Sequence, residues 1–503
     1  MLKKRLFYVF FALNIIATFV LLGFVVLTKI VPTLYVTLLL ILFMIVPVLL
    51  LILQKVLKHH KQRSKVRVIG IILLIIGIII DMVLIYYVYI TNRTIGEVTS
   101  ANTQSEVIQV YVAKDDPAES INDCLSREYK FGILKVGDRE VVNELINKIE
   151  SNSTVKMDIV EYPSIIDLVS AMKSLKIDSF ILSDAYMEAL SSMEGYAKYN
   201  ESVKAIYSTS VESEIKVVKK NETKKEIEES DYDYLPEYFS VYISGIDSYG
   251  PVTTKSRSDV NIIATINLKS HNILLVSTPR DYYVPFEIFD GAKDKLTHAG
   301  VYGIDTSMDV LGDLYDIDLN YYMRVNFTGF TSIIDKLGGV DVVSDARFSA
   351  GGYTFVEGLN HLNGAQALAF SRERYSFADG DRARGRHQMA VIKAVIQGLA
   401  STNLLSNYSS VMSELSGTFQ TNMTQDEIGE IVKDQISTQK GWNVVTYSVD
   451  GSGTTAMSAA MGVNAYMMVP YDDTVEYAKE LMTRVKDGYV LDQSSVEDNA
   501  PKH

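Results

Sequence analysis

Three long apolar runs near the amino end constrain this chain more than any other feature. They cover about 6–28, 33–53 and 68–90. Each reaches the ~20 residues that an α-helix needs to cross a hydrocarbon core about 30 Å thick. A cleaved signal peptide carries one shorter run and a small-residue cleavage site, so the pattern predicts three membrane spans within a membrane region of 1–95. Orientation follows from where the cations lie. Lys3, Lys4 and Arg5 precede the first run, and Lys55, Lys58, Lys61, Arg63, Lys65 and Arg67 fill the loop between the second and third. The first connection holds only Lys29. Both basic segments therefore fall on one side, which predicts a multi-pass cell-membrane protein with a cytoplasmic amino end and everything after about 91 extracytoplasmic. Asp81, inside the third run, is expected to face a helix neighbour or to snorkel toward the interface, and no role is assigned to it.

This topology also explains the uneven charge. Residues 1–95 hold eleven Lys or Arg and one acid, a net of +10. The whole chain is −13, so the remaining 408 residues carry −23. A nucleic-acid binder presents a broad basic face, and this chain has an acidic bulk instead, so nucleic acid is excluded as a partner. On the predicted topology the cytoplasmic segments are too short for a folded DNA-binding domain. The single cysteine, Cys124, excludes an internal disulfide and a cysteine-based metal cluster.

Beyond the membrane region, 98–215 alternates short β-branched runs with amphipathic stretches such as 140–149, where Val141, Val142, Leu145, Ile146 and Ile149 recur at helical spacing. The alternation predicts a small accessory α/β domain without a Gly-rich phosphate loop or nucleophile elbow. Residues 216–234 are charged and nearly free of apolar side chains, the composition of a linker. A second α/β domain is expected over 235–490. Its first strands, 239–243, 260–268 and 273–277, are bordered by Asp247, by Arg257 and Asp259, and by Arg280. Strands at 321–325 and 340–343 flank a helix at 327–337, and a helix beginning near His387 buries Met389, Ile392, Ile396 and Leu399.

Just before that helix, 371–388 holds five arginines: Arg372, Arg374, Arg382, Arg384 and Arg386. Guanidinium groups grip phosphate oxygens with paired hydrogen bonds and stay charged at any relevant pH. Several held at a helix N-terminus form a receptor for a polyanion such as pyrophosphate. If the helix begins by Arg384, that residue and Gln388 share one face.

In order, GID (245–247), RSD (257–259), TPRDYYV (278–284), KLTHAG (295–300), VNFTGFTSIIDKLGGVDV (325–342), LNGAQALAFSRER (362–374) and DRARGRHQ (381–388) resemble the LytR-CpsA-Psr family of envelope phosphotransferases. The likeness is greatest to streptococcal capsule-locus members, which share three membrane spans and an extra external domain. It covers 239–400 as its core. The resemblance implies an α/β catalytic domain with a central sheet and a hydrophobic lipid pocket. It implies transfer of a glycan, here a capsular polysaccharide, from a polyprenyl-pyrophosphate carrier to peptidoglycan in a Gram-positive type envelope. Membrane lipids and other capsule-assembly proteins are the remaining partners. Asp247 and Asp259 match the family's Mg²⁺-binding aspartates. Arg257, Arg280, Arg372, Arg374, Arg384 and Gln388 match its pyrophosphate contacts, and Arg280, Arg372, Arg374 and Asp259 are the residues so assigned to catalysis. Val260, the Arg382-Ala383 pair and His387 depart from the family pattern, and no catalytic role is given to Arg382, Arg386 or His387. The alternatives from the same residues are a regulator or scaffold of capsule synthesis and a hydrolase of the carrier lipid.

Overall fold

The computed structural model describes residues 2–29, 31–57, 63–99, 103–137, 139–193, 195–215, 232–246, 251–378, 380–400, 411 and 418–503. The three apolar runs are helices: α1 (Leu2–Thr28), α2 (Thr33–Val56) and α3 (Arg63–Thr99). All three are long and apolar enough to cross a membrane. α3 continues about nine residues past the expected end of its run as one unbroken helix. Asp81 faces α1 and accepts a hydrogen bond from Thr18 at 3.0 Å, which satisfies part of a carboxyl that lipid alone would leave bare.

The accessory domain is a five-stranded mixed sheet of β1 (Thr103–Ala113), β2 (Lys130–Leu134), β3 (Asp158–Tyr162), β4 (Ser179–Ser183) and β5 (Val203–Glu214), in the order β3-β2-β4-β1-β5. Helices α4 (Ile121–Ser126), α5 (Arg139–Ser151), α6 (Ile165–Lys173) and α7 (Asp184–Ser191) cover it. Strand β5 escaped sequence reading because its alternating residues are largely polar and half-buried. Of the expected linker, 216–231 lies outside the described residues. Its last part is not free: the Asp233 and Tyr234 amides donate to Glu430 at 3.0 and 2.6 Å.

The second domain is organised by a six-stranded sheet. Its strands are β6 (Tyr238–Ile246), β7 (Ser258–Asn267), β8 (Asn272–Ser277), β9 (Tyr321–Asn326), β10 (Phe419–Thr421) and β11 (Asn443–Ser448), in the order β10-β9-β6-β7-β8-β11. The pairs β9/β6 and β11/β8 are parallel, and the others antiparallel. Side chains alternate across a strand, so each strand feeds two environments. Tyr242, Ile263, Leu274 and Tyr322 point into a closed core with α9 (Ile304–Tyr315) and α14 (Asp472–Lys486), and α15 (Gln493–Asn499) extends that core past 490. Val241, Ile243, Ala264, Ile273 and Met323 point the other way, into a cavity. Opposite them lie α10 (Phe327–Leu337), α11 (Gly364–Arg372), α12 (Asp381–Leu399) and α13 (Gln425–Thr438). The expected strand at 340–343 forms, but as a separate two-stranded ribbon with Gly358–Leu362 outside the central sheet.

Candidate active site

The cavity between the sheet and these helices has a volume of about 1160 Å³ and is lined mostly by apolar side chains. That exceeds the ~300–1,000 Å³ of ordinary small-molecule pockets. Seven residues singled out from sequence line it: Arg257, Asp259, Arg280, Arg372, Arg374, Arg384 and Gln388. Residues as far as 131 positions apart in sequence (257 to 388) therefore line one cavity. Asp247 lies outside the described residues.

Each side chain is delivered by a definable element. Asp259 enters β7 beside Ser258, and Arg280 follows β8 after the turn at Thr278-Pro279. Arg372 ends α11, whose start is fixed by a capping box between Asn363 and Gln366. α12 begins at Asp381, six residues earlier than the sequence pattern predicted, so Arg382, Arg384 and Arg386 are helical and not in a loop. The early start places Arg384 and Gln388 on one helix face, both toward the cavity. That face also carries Ile392, Ile396 and Leu399, which line the cavity rather than fill a closed core; Met389 alone of the expected set is fully buried.

The remaining arginines are sorted by the same geometry. Arg382 pairs with Asp450 at 2.5 Å and donates to the Gly451 carbonyl at 3.0 Å. Arg386 lies 3.7 Å from Asp345 on the surface. His387 is buried against Phe348, Phe370 and Phe377, with the Phe348 ring stacked at 5.2 Å. None of the three lines the cavity.

The polar end is cationic, with five arginines and one carboxylate among the described lining residues. Arg280 donates to Asp259 at 2.8 Å, and the Thr297 hydroxyl adds a bond at 3.3 Å. Burial pushes the Asp259 carboxyl up, but Arg280, Arg384 and Arg257 outweigh it and hold it below the ordinary range. It is therefore ionised at neutral pH. Arg384 is buried, which lowers its pKa against the pull of Asp381 at 2.5 Å. Asp381 itself is pushed up by burial. It was not read as a site residue; its signal was an acid three positions before an arginine in the first turn of a helix. Arg372 stacks over the Phe327 ring at 4.5 Å, and Arg374 over Tyr375 at 4.7 Å, donating to its hydroxyl at 2.6 Å. His298, on α8 (Leu296–Tyr302), is structural: it pairs with buried Asp294 at 3.0 Å.

Chemically, this end has the charge to suit a compact anion carrying several negative charges, and the apolar remainder has the room and lining to suit a long hydrocarbon. No group of three or more His, Cys, Asp or Glu side chains encloses a metal among the described residues. Mg²⁺ needs no such cage, since it takes one or two carboxylates together with phosphate oxygens. Asp259 fits as one of those carboxylates.

These features define a class: a membrane-anchored α/β protein with an apolar cavity lined by arginines at one end. The LytR_cpsA_psr family model matches residues 201–482. More than half of the chain is covered, and the chain belongs to the LytR-CpsA-Psr family. It is 38% identical over 195 residues to the polyisoprenyl-teichoic acid–peptidoglycan teichoic acid transferase TagU of Bacillus mycoides, covering 39% of this chain and 63% of that protein. The match therefore spans less than two thirds of that relative's length. TagU of Bacillus cereus is 34% identical over 240 residues, which is 48% of this chain and 78% of that one. The crystal structure of Bacillus subtilis TagV aligns with a TM-score of 0.42 and 26% identity, over 50% of this chain and 98% of the other.

Proposed function

We propose that this protein transfers a glycopolymer from a polyprenyl-diphosphate carrier to peptidoglycan on the outer side of the membrane, with capsular polysaccharide as the polymer. The observation that carries the reading is the junction of five arginines and Asp259 with a large apolar cavity. A lipid diphosphate has these two parts. The named activity of the TagU relatives, transfer of polyisoprenyl-linked teichoic acid to peptidoglycan, supports the same reaction type.

In the reaction a peptidoglycan hydroxyl forms a new P–O bond to the glycan-bearing phosphorus. The anhydride P–O bond breaks, polyprenyl phosphate leaves, and the hydroxyl's proton passes to water. The demand on the protein is positioning and charge neutralisation. Arg280, Arg372 and Arg374 would grip the diphosphate oxygens, Arg257 and Arg384 would stabilise charge accumulating on the leaving phosphate, and Gln388 would donate from the helix face. The stacking of Arg372 and Arg374 on Phe327 and Tyr375 limits their freedom before substrate arrives. Asp259, with Asp247, would hold Mg²⁺, which supplies charge neutralisation at the diphosphate. Held ionised beside Arg280, Asp259 is a better cation ligand than proton acceptor.

The test gives full-length protein in bilayer discs a lipid-linked glycan and a peptidoglycan acceptor. Wild type is expected to yield glycan covalently attached to the acceptor, and Arg374→Ala or Asp259→Ala to lower kcat/KM by about 10²-fold. Unchanged transfer in both variants would sink the reading. Free glycan phosphate with no attachment would assign hydrolysis instead.

A further inference from the structure

The cavity does not end within the domain that holds the arginines. Its lining continues onto the membrane helices through Thr28 at the end of α1 and, on α3, Tyr87, Val88, Thr91, Ile95 and Val98. With Thr94, the α3 positions fall at 87/88, 91, 94/95 and 98, three or four residues from one step to the next, so they form one stripe along one side of that helix. At 37 residues, α3 is about 55 Å long, well beyond the ~30 Å hydrocarbon core.

The level at which α3 leaves the bilayer is marked by its own side chains. Tyr86 and Tyr89 are half exposed on the helix surface, and Asn92, Arg93 and Glu97 follow within two turns, Arg93 pairing with Glu97 at 2.7 Å. Aromatic rings followed by charges are the signature of the headgroup region. Ile95 therefore stands at that level and Val98 just beyond it, both still facing the cavity. Across from them, α13 presents Ile428, Ile431 and Ile436 to the same space. α13 is tied to the membrane helices by Lys29 to Asp426 at 3.5 Å, by the Tyr35 hydroxyl to the Ile436 carbonyl at 3.4 Å, and by a Gln425–Asn92 hydrogen bond.

We infer that the stripe on α3, roofed by α13, is the entry path and distal binding site for the prenyl chain of the substrate, so that the chain passes from bilayer to arginines without crossing water. This rests on the lipid-diphosphate reading above and adds to it a role for the membrane helices in substrate binding beyond tethering. Keeping hydrocarbon out of water becomes more favourable with every methylene, which makes a continuous apolar path decisive for a long chain and unimportant for a short one.

That difference supplies the experiment. Full-length wild type, Ile95→Trp and Val98→Trp are placed in bilayer discs, and binding of undecaprenyl diphosphate and of geranyl diphosphate is measured. Met82→Trp, on the lipid-exposed part of α3, is the control. The inference expects at least about tenfold weaker undecaprenyl diphosphate binding in the two mouth variants, with geranyl diphosphate and Met82→Trp unchanged. Unchanged long-chain binding, or a loss shared by geranyl diphosphate, overturns it. A second measurement places a photoreactive benzoylphenylalanine at Ile95 or, deep in the cavity, at Phe330. Crosslinking of undecaprenyl diphosphate at both positions supports the path. Crosslinking at Phe330 alone overturns it and leaves the transferase reading intact, while crosslinking at neither overturns both.

Discussion

At Gly300 a missing side chain sets the position of a charged one. A Cβ there would stand 2.5 Å from the Ser256 carbonyl oxygen and 2.8 Å from the Ser258 amide nitrogen. Both contacts are backbone and flank Arg257, so neither can swing aside as a flexible side chain would. The small residue lets α8 press against the strand entrance that carries Arg257 and Asp259, and Thr297 one turn earlier bonds to Asp259. Here the KLTHAG motif acquires a physical reason: Thr297 and Gly300 support the site without entering it. Gly300→Ala is expected to destabilise the fold by about 1–3 kcal/mol through overpacking. It should also weaken geranyl diphosphate binding by displacing Arg257. Thermal unfolding of the full-length protein and a binding isotherm check the two parts, and a variant matching wild type in both would show that the backbone relaxes freely.

Helix α12 brings the site together, and it is also where sequence reading was least complete. Its first two turns contain Arg382, Arg384, Gly385 and Arg386. Such a run has no apolar periodicity and a glycine that disfavours helix, so the pattern became visible only near His387. The structure shows the reason for the glycine: a Cβ at Gly385 would meet the Ser277 hydroxyl at 2.8 Å, where the helix crosses β8. Four of the six central strands were legible as short apolar, β-branched runs, while Phe419–Thr421 and Asn443–Ser448 were not, and such a run does not say whether a face meets a core or a cavity. Ile392 and Ile396 look the same in either setting. Beside the site, the segment from Asp294 to His298 docks the hairpin of Gly451–Met457 and Asn464–Pro470. Asp294 is fully buried and receives bonds from the Ser458 hydroxyl at 2.7 Å and the Ala460 amide at 2.8 Å, besides His298. Burial raises its carboxyl, but His298 and these donors prevail and hold it below the ordinary range. An acid depressed in the folded state stabilises the fold above its unfolded pKa of about 3.9, and the contribution is lost as pH falls through the folded value. Asp294→Asn is therefore expected to cost about 1.5–3 kcal/mol at neutral pH. In melts run at descending pH, the gap between wild type and variant should close below about pH 4; a gap that persists there would contradict the assignment.

Across the whole molecule, three bodies share two junctions. The accessory domain joins the second through a bridge between Ser105 and Thr254, a buried Glu106–Lys255 pair at 3.2 Å, and Glu188, which lies 3.6 Å from Arg257. The cavity's polar end thus adjoins one junction and its apolar end the other, at the membrane helices. The proposed transfer requires both external domains to lie on the side of the membrane where peptidoglycan is, the side that the basic segments at 3–5 and 55–67 predict. The orientation can be tested with the chain's own chemistry. Cys124 is buried, and burial first, then neighbouring acids, pushes its thiol up to about 12, so it is almost wholly protonated and inert at neutral pH. The native protein is therefore a clean background for cysteine labelling. Leu175→Cys puts a thiol at an accessory-domain position that is 87% exposed, and Lys65→Cys puts one at the start of α3. With a membrane-impermeant maleimide on intact cells stripped of their wall, Leu175→Cys should label at once, Lys65→Cys only after permeabilisation, and wild type under neither condition. Labelling of Lys65→Cys before permeabilisation would invert the topology and remove the proposed acceptor from reach.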